Sequence, residues 1–126
     1  MNKLEIKSIV NKKIKIHIID KLDGVCVKFK GEIEKKNSST FLEPLFEKIH
    51  LGSVKCNFSE VILDFKELRY MNSNGIKAVA QWIMRLSELD DSQKYQIRIF
   101  YNKKISWQNT SLHTLTFLVP GSVFIE

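Results

Sequence analysis

Between residues 13 and 30 apolar and polar positions alternate. Ile14, Ile16 and Ile18 stand against Lys13, Lys15 and His17, and Val25, Val27 and Phe29 stand against Cys26, Lys28 and Lys30. A period of two gathers each apolar set on one face of a half-buried strand. Asp20-Lys21-Leu22-Asp23-Gly24 between the runs is a turn, its glycine free to take positive φ. The pattern predicts a β-hairpin. A fainter alternation, Leu4, Ile6, Ser8 and Val10 against Lys3, Glu5, Lys7 and Ile9, predicts an edge strand ahead of it. Past the loop and capping cluster Asn37-Ser38-Ser39-Thr40 the period changes. Phe41, Leu42, Leu45, Phe46 and Ile49 mark an amphipathic helix ending near Gly52, with Pro44 in its first turn.

Residues 61–87 form the centre of the pattern. Val61 to Phe65 is an apolar, β-branched run that predicts a buried strand over 58–65. Lys66 to Met71 reads as a polar turn. From Asn72-Ser73-Asn74-Gly75 onward, Ile76, Val79, Ala80, Ile83 and Leu86 recur at helical spacing, with Lys77, Gln81 and Arg85 opposite, which predicts a helix over 73–88. After the polar loop Glu88-Leu89-Asp90-Asp91-Ser92, Tyr95, Ile97, Ile99 and Tyr101 predict a strand over 94–101. A last helix runs from Ser106 through Leu112, Leu115, Leu118 and Val119 to a stop at Pro120-Gly121. Val123-Phe124-Ile125 is a terminal docking strand. The order is α/β, with a parallel, right-handed β-α-β crossover beside an antiparallel hairpin, so the sheet must be mixed.

A chain of 126 residues, 44% hydrophobic and 27% charged, fits one globular domain over 1–126. No apolar run approaches the roughly 20 residues that span a bilayer, and the N-terminus has no signal-peptide core, so cytoplasmic residence without a membrane partner is expected. The net charge of +6 raises the question of nucleic acid. The lysines, however, fall in strand-like alternation, where they blunt exposed faces and edges, and no aromatic stacking platform or recognition helix accompanies them. A solvated face or a surface for an acidic partner is the better reading. Cys26 and Cys56 lack metal spacing and read as buried free thiols, and His17, His50 and His113 fall on separate elements. No phosphate-cradling loop or G-x-S-x-G is present, so neither metal nor organic cofactor is expected.

The chemistry concentrates at Asn72-Ser73-Asn74-Gly75, where a strand hands over to a helix. One reading is plain capping, since asparagine and serine accept the free amide protons of a first helical turn. Asp64-Phe65 followed by Tyr70-Met71-Asn72-Ser73-Asn74-Gly75-Ile76 resembles the hallmark of STAS domains, the fold of bacterial anti-sigma-factor antagonists. Gly31-Glu32-Ile33-Glu34, about 40 residues earlier, is similar to the string that leads from that family's N-terminal strands to its first helix. Ser106-Trp107-Gln108 with Ser111-Leu112 and Leu115 resembles a C-terminal signature of some stand-alone members. The resemblance covers residues 14–118. It implies a mixed sheet with an N-terminal hairpin and about three helices.

It also implies a non-enzymatic partner-switching module. Ser73 would be phosphorylated by an ATPase-type serine kinase and reset by a metal-dependent serine phosphatase, with the unmodified protein sequestering its partner. Asn72, Asn74 and Gly75 would shape the site, and Lys77, Glu32 and Glu34 would join them in the partner interface. Three positions depart from the family pattern: Asn72 replaces the usual acid, Asn74 replaces a second hydroxyl, and Lys77 stands where many members have a small residue. The alternative is a STAS-like scaffold in which Ser73 is only a helix cap. A small enzyme is the third reading, with no motif to support it.

Overall fold

A computed structural model of the chain describes residues 2–34 and 38–126. In chain order the described elements are β1 (Ile9–Val10), β2 (Ile14–Lys21), β3 (Gly24–Ile33), α1 (Ser38–Lys55), β4 (Glu60–Met71), α2 (Ser73–Arg85) with a 3-10 turn at Leu86–Glu88, β5 (Gln96–Phe100), α3 (Ser106–Leu115) and β6 (Val123–Ile125). The sheet runs in sequence order from β1 to β6. β1, β2 and β3 pair antiparallel, whereas β3, β4, β5 and β6 pair parallel. The mixed sheet expected from the hairpin and the crossover is therefore present. Parallel neighbours need crossovers, and right-handed crossovers taken in one direction put all their helices on one face.

Burial agrees with that arrangement. Ile14, Ile16, Val25, Val27, Phe29, Val61, Leu63, Phe65, Ile97, Ile99 and Val123 point to the helices and are buried in one core. The opposite face carries charge: Lys28 meets Glu67 at 2.9 Å, and Arg98 lies between Glu60 and Glu126 at 3.7 and 3.6 Å. The lysines that alternate along β2 and β3 line this face. The free thiols divide between the two environments. Cys26 is buried, but Cys56 lies in the turn after α1 and is exposed, so only one of the two expected buried thiols is buried.

The largest departure from the periodicity lies in β4. Residues 66–71 are not a turn but the second half of a 12-residue strand. Its pairing with β3 slips twice: Lys28–Asp64 is followed by Lys30–Glu67, and Gly31–Leu68 by Glu32–Tyr70. Each slip gives β4 one residue more than β3, the signature of a bulge. The residues that turn inward are consequently Phe65, Leu68 and Met71, three apart rather than two. Gly31 lies between the two slips with φ 109, and a Cβ there would stand 2.0 Å from the Lys13 carbonyl oxygen. The glycine of Gly31-Glu32-Ile33-Glu34 is thus required by both dihedral and space.

Bulges leave ladder groups unpaired, and α3 supplies their partner. The Gln108 side chain, fully buried, donates through Nε2 to the carbonyls of Phe65 (2.6 Å) and Leu68 (2.8 Å). Its Oε1 accepts from the Asn102 amide at 2.8 Å. Trp107 Nε1 adds a bond to the Leu68 carbonyl at 3.3 Å. Other expectations shift in smaller ways. The N-terminal strand shrinks to Ile9–Val10, because Asn2 folds its own turn onto Ile6. α1 starts at Ser38, which puts Pro44 in its second turn, and it passes Gly52 to end at Lys55. α3 ends at Leu115 rather than near Pro120, and β6 docks on β5 as expected.

Beneath α1 and α2, Tyr95 joins two elements through its buried hydroxyl. Trp82 Nε1 donates to it at 2.8 Å, and it lies 2.7 Å from His50 Nδ1. With the Trp82 proton on the Tyr95 oxygen and His50 neutral, the hydroxyl proton goes to Nδ1. Burial pushes His50 below its ordinary value of 6.5, opposed by the charge of Glu88. Below pH 6.5 the unfolded chain therefore binds more protons at this position than the folded one. Stability from His50 should be complete above about pH 6.5 and be lost as the pH falls towards its depressed folded value. Urea melts between pH 7 and pH 5 should show that loss in the wild type and a smaller one in His50→Gln. Gln108→Leu should cost about 2–4 kcal/mol in the same melts at pH 7, since it orphans the Phe65 carbonyl and the Asn102 amide and leaves the Leu68 carbonyl only the 3.3 Å bond from Trp107. A change under 1 kcal/mol would show that the bulges need no staple.

A candidate phosphoacceptor site at the start of α2

The second bulge turns Met71 into the core, and Asn72 leaves the sheet. Its amide still donates to the Ile33 carbonyl at 2.9 Å, so the end of β3 and the start of α2 are tied together. Asn72 has φ −73 and ψ 172, an extended backbone, and its carbonyl accepts from the Ile76 amide at 3.2 Å. Its side-chain Oδ1 accepts from the Gly75 amide at 3.0 Å and from the Ser38 hydroxyl at 2.8 Å. Asn72 is therefore the helix cap. Ser38 is the first residue of α1 and fully buried, so two helix starts meet on one amide side chain.

This corrects the capping alternative for Ser73. Serine and asparagine are both good caps, but the cap here is Asn72, and Ser73 is the first helical residue. Ser73 is exposed, and no hydrogen bond engages its hydroxyl among the described residues. Asn74 beside it is exposed. Gly75 is buried, because a Cβ there would meet Met71 Cγ at 2.5 Å. Lys77 is exposed one turn further on and makes no ion pair among the described residues. The first turn of α2 holds no acidic residue. A helix N-terminus carries about half a positive charge, so this end of α2 is electropositive before any modification.

Glu32 and Glu34 stand at the neighbouring strand end, as the resemblance implied. Both are already engaged. Glu32, half-buried, lies 3.7 Å from Arg69 Nε, and Glu34 pairs with Lys13, whose ammonium that bond and charge hold above its ordinary value. They border a cleft of about 600 Å³ with an apolar wall of Ile9, Ile14, Ile33 and Phe41. Sequence reasoning missed Ser38, Arg69 and the exposed Tyr70. The loop read as a cap cluster did contain Ser38, but nothing in a linear pattern links it to a residue 34 positions away. The histidines lie elsewhere: His17 on Ser8, His50 under Tyr95, and His113 against the Tyr101 ring. No cluster of three His, Cys, Asp or Glu residues suited to a metal occurs among the described residues.

No family model matches the sequence, and no curated protein matches it. Among solved structures the chain is similar to an anti-sigma factor antagonist from Mycobacterium paratuberculosis. That match has a TM-score of 0.61 and 16% identity, and covers 89% of this chain and 86% of that one. It is also similar to the anti-sigma factor antagonist SpoIIAA in its unphosphorylated form, with a TM-score of 0.54, 13% identity, and coverage of 88% and 87%. The chain has the STAS fold. At these identities the likeness is one of architecture, and the site within the STAS fold has to be argued from its own atoms.

That argument separates two adjacent residues. Asn72→Ala removes an acceptor shared by Gly75 and the buried Ser38 hydroxyl. It should cost about 1–3 kcal/mol in urea melts. Ser73→Ala and Ser73→Asp should each stay within about 0.5 kcal/mol of wild type, as exposed positions away from special contacts do. Equal losses for Asn72→Ala and Ser73→Ala would mean that the hydroxyl shares the capping.

Proposed function

We propose that the chain is a non-enzymatic, anti-sigma-factor-antagonist-like binding module whose association with a protein partner is controlled by phosphorylation of Ser73. One observation carries this reading: Ser73 offers an exposed, unengaged hydroxyl at the first position of a helix whose capping is done by its neighbour. A phosphoacceptor needs an accessible hydroxyl, an environment that accepts an anion, and a partner that brings ATP. The start of α2 meets the first two requirements through exposure and through its free amides and dipole. An ATPase-type serine kinase is the third. Its base takes the hydroxyl proton as the Ser73 oxygen attacks the γ-phosphorus, and ADP leaves. A serine phosphatase reverses the state by passing the phosphoryl group to water.

The switch has the magnitude it needs. Phosphorylation adds about −1.5 to −2 charges. Against a partner carboxylate at about 6 Å, with an effective dielectric near 20, the repulsion is on the order of 5 kcal/mol before screening. Inverting a complex from 99:1 to 1:99 takes about 5.5 kcal/mol. The three histidines are engaged away from Ser73, which supports an acceptor of phosphate over a nucleophile with a base of its own. Among the described residues no helix is long and apolar enough to cross a membrane.

Incubation with candidate ATPase-type serine kinases and ATP, followed by intact-mass analysis, should add one phosphate to wild type and none to Ser73→Ala. In partner titrations Ser73→Ala should bind like unmodified wild type and Ser73→Asp more weakly. The aspartate effect should be partial, because it carries one charge and lacks the phosphate's three acceptor oxygens. Equal affinities for the two variants would reduce the protein to a constitutive scaffold.

A further inference from the structure

Resting on Ser73 as the phosphoacceptor, we infer that Lys77 is an intramolecular clamp for the phosphate, turning back one helical turn to pair with it. Residues four apart on a helix are neighbours, about 5–6 Å between Cβ atoms. Every Cα–Cβ bond tilts towards the helix N-terminus, so the Lys77 stem leads its ammonium back over Ser73. An acidic group four residues N-terminal to a lysine is also the more favourable order of such a pair. Both ends of the contact are unspent: the Ser73 hydroxyl has no hydrogen bond and Lys77 no ion pair among the described residues.

The neighbouring cations differ on this point. Lys13 is held by Glu34, Arg69 by Glu32, and Arg85 at the far end of α2 by Glu47. Lys77 is the cation on α2 left to meet a new anion at the helix start. Its capture changes the surface in two ways at once. The modified site gains the phosphate and withdraws the ammonium that the unmodified site presents. A partner carboxylate attracted by Lys77 before modification thus meets a net negative group after it. The clamp also holds the phosphate against the helix instead of leaving it on a free rotor.

The test uses the full chain with phosphoserine placed at 73 during translation, so it needs no kinase. The probe is the second ionisation of the phosphate, followed by phosphorus NMR in low salt. Lys77 favours the dianion, so the phosphate pKa in wild type should lie about 0.15–0.35 unit below that in Lys77→Gln. Lys103→Gln removes the same charge from an exposed lysine beyond β5, and should leave the value where the wild type has it. The difference between wild type and Lys77→Gln should shrink when the ionic strength is raised towards 1 M. Equal values for wild type and Lys77→Gln in low salt, or an equal shift in Lys103→Gln, overturn the clamp. Neither result bears on whether a kinase uses Ser73. Conversely, a chain that no kinase modifies would still show the Lys77 shift, so the two readings fail separately.

Discussion

Where β4 bulges, the carbonyls of Phe65 and Leu68 are turned out of the ladder inside the core, and Gln108 donates to both. A buried carbonyl left without a donor costs about 1–3 kcal/mol, so two of them approach a sizeable share of a small domain's stability. The register of β4 beyond Phe65 therefore depends on α3, an element more than 40 residues later. That register decides where the strand ends, and its end decides which residue caps α2. Losing one bulge would shift the register by one residue, turn Met71 outward and present a different side chain to Ser38.

The sequence was informative wherever one period governed a stretch. The hairpin of β2 and β3 follows from strict alternation, and α2 from a stripe at helical spacing flanked by Lys77, Gln81 and Arg85. Residues 66–71 misled because two bulges space Phe65, Leu68 and Met71 three apart, and no strand template has that spacing. Gln108 could be noticed in Ser106-Trp107-Gln108, but only the fold connects its amide to carbonyls on another strand. The start of α2 was legible to within one residue. Helix ends are uncertain by a residue or two from pattern alone, and Asn72 and Ser73 are both competent caps. What decides between them is the Ser38 hydroxyl, a contact across 34 positions.

The same limit applies to charge. The bond between the Asn72 amide and the Ile33 carbonyl brings the strand end that carries Glu32 and Glu34 beside the start of α2. Composition did not foretell that Arg69 and Lys13 would already occupy them. Exposed pairs of this kind contribute little to stability, with a median of about 0–1 kcal/mol. Their consequence is electrostatic. With the two acids shared and no acid in the first turn of α2, the surface around Ser73 starts out positive. A phosphate there reverses the sign of the local field instead of deepening an existing negative one.

In the proposed reading, with Ser73 as the acceptor, placing cap and acceptor on adjacent residues resolves a conflict that one residue could not. A capping hydroxyl is held by the helix amides, and converting it to a phosphate ester would rearrange the bond on which the helix start depends. A kinase would also have to pull that oxygen away from its amide before transfer, and the loss of capping would be added to the barrier. Here Asn72 holds the Gly75 amide and the Ser38 hydroxyl without using Ser73, which is exposed. The proposed phosphorylation would then change the charge at Ser73 by nearly two units without drawing on the cap. Binding and folding become separable properties of neighbouring side chains, as a reversible switch in a marginally stable domain requires.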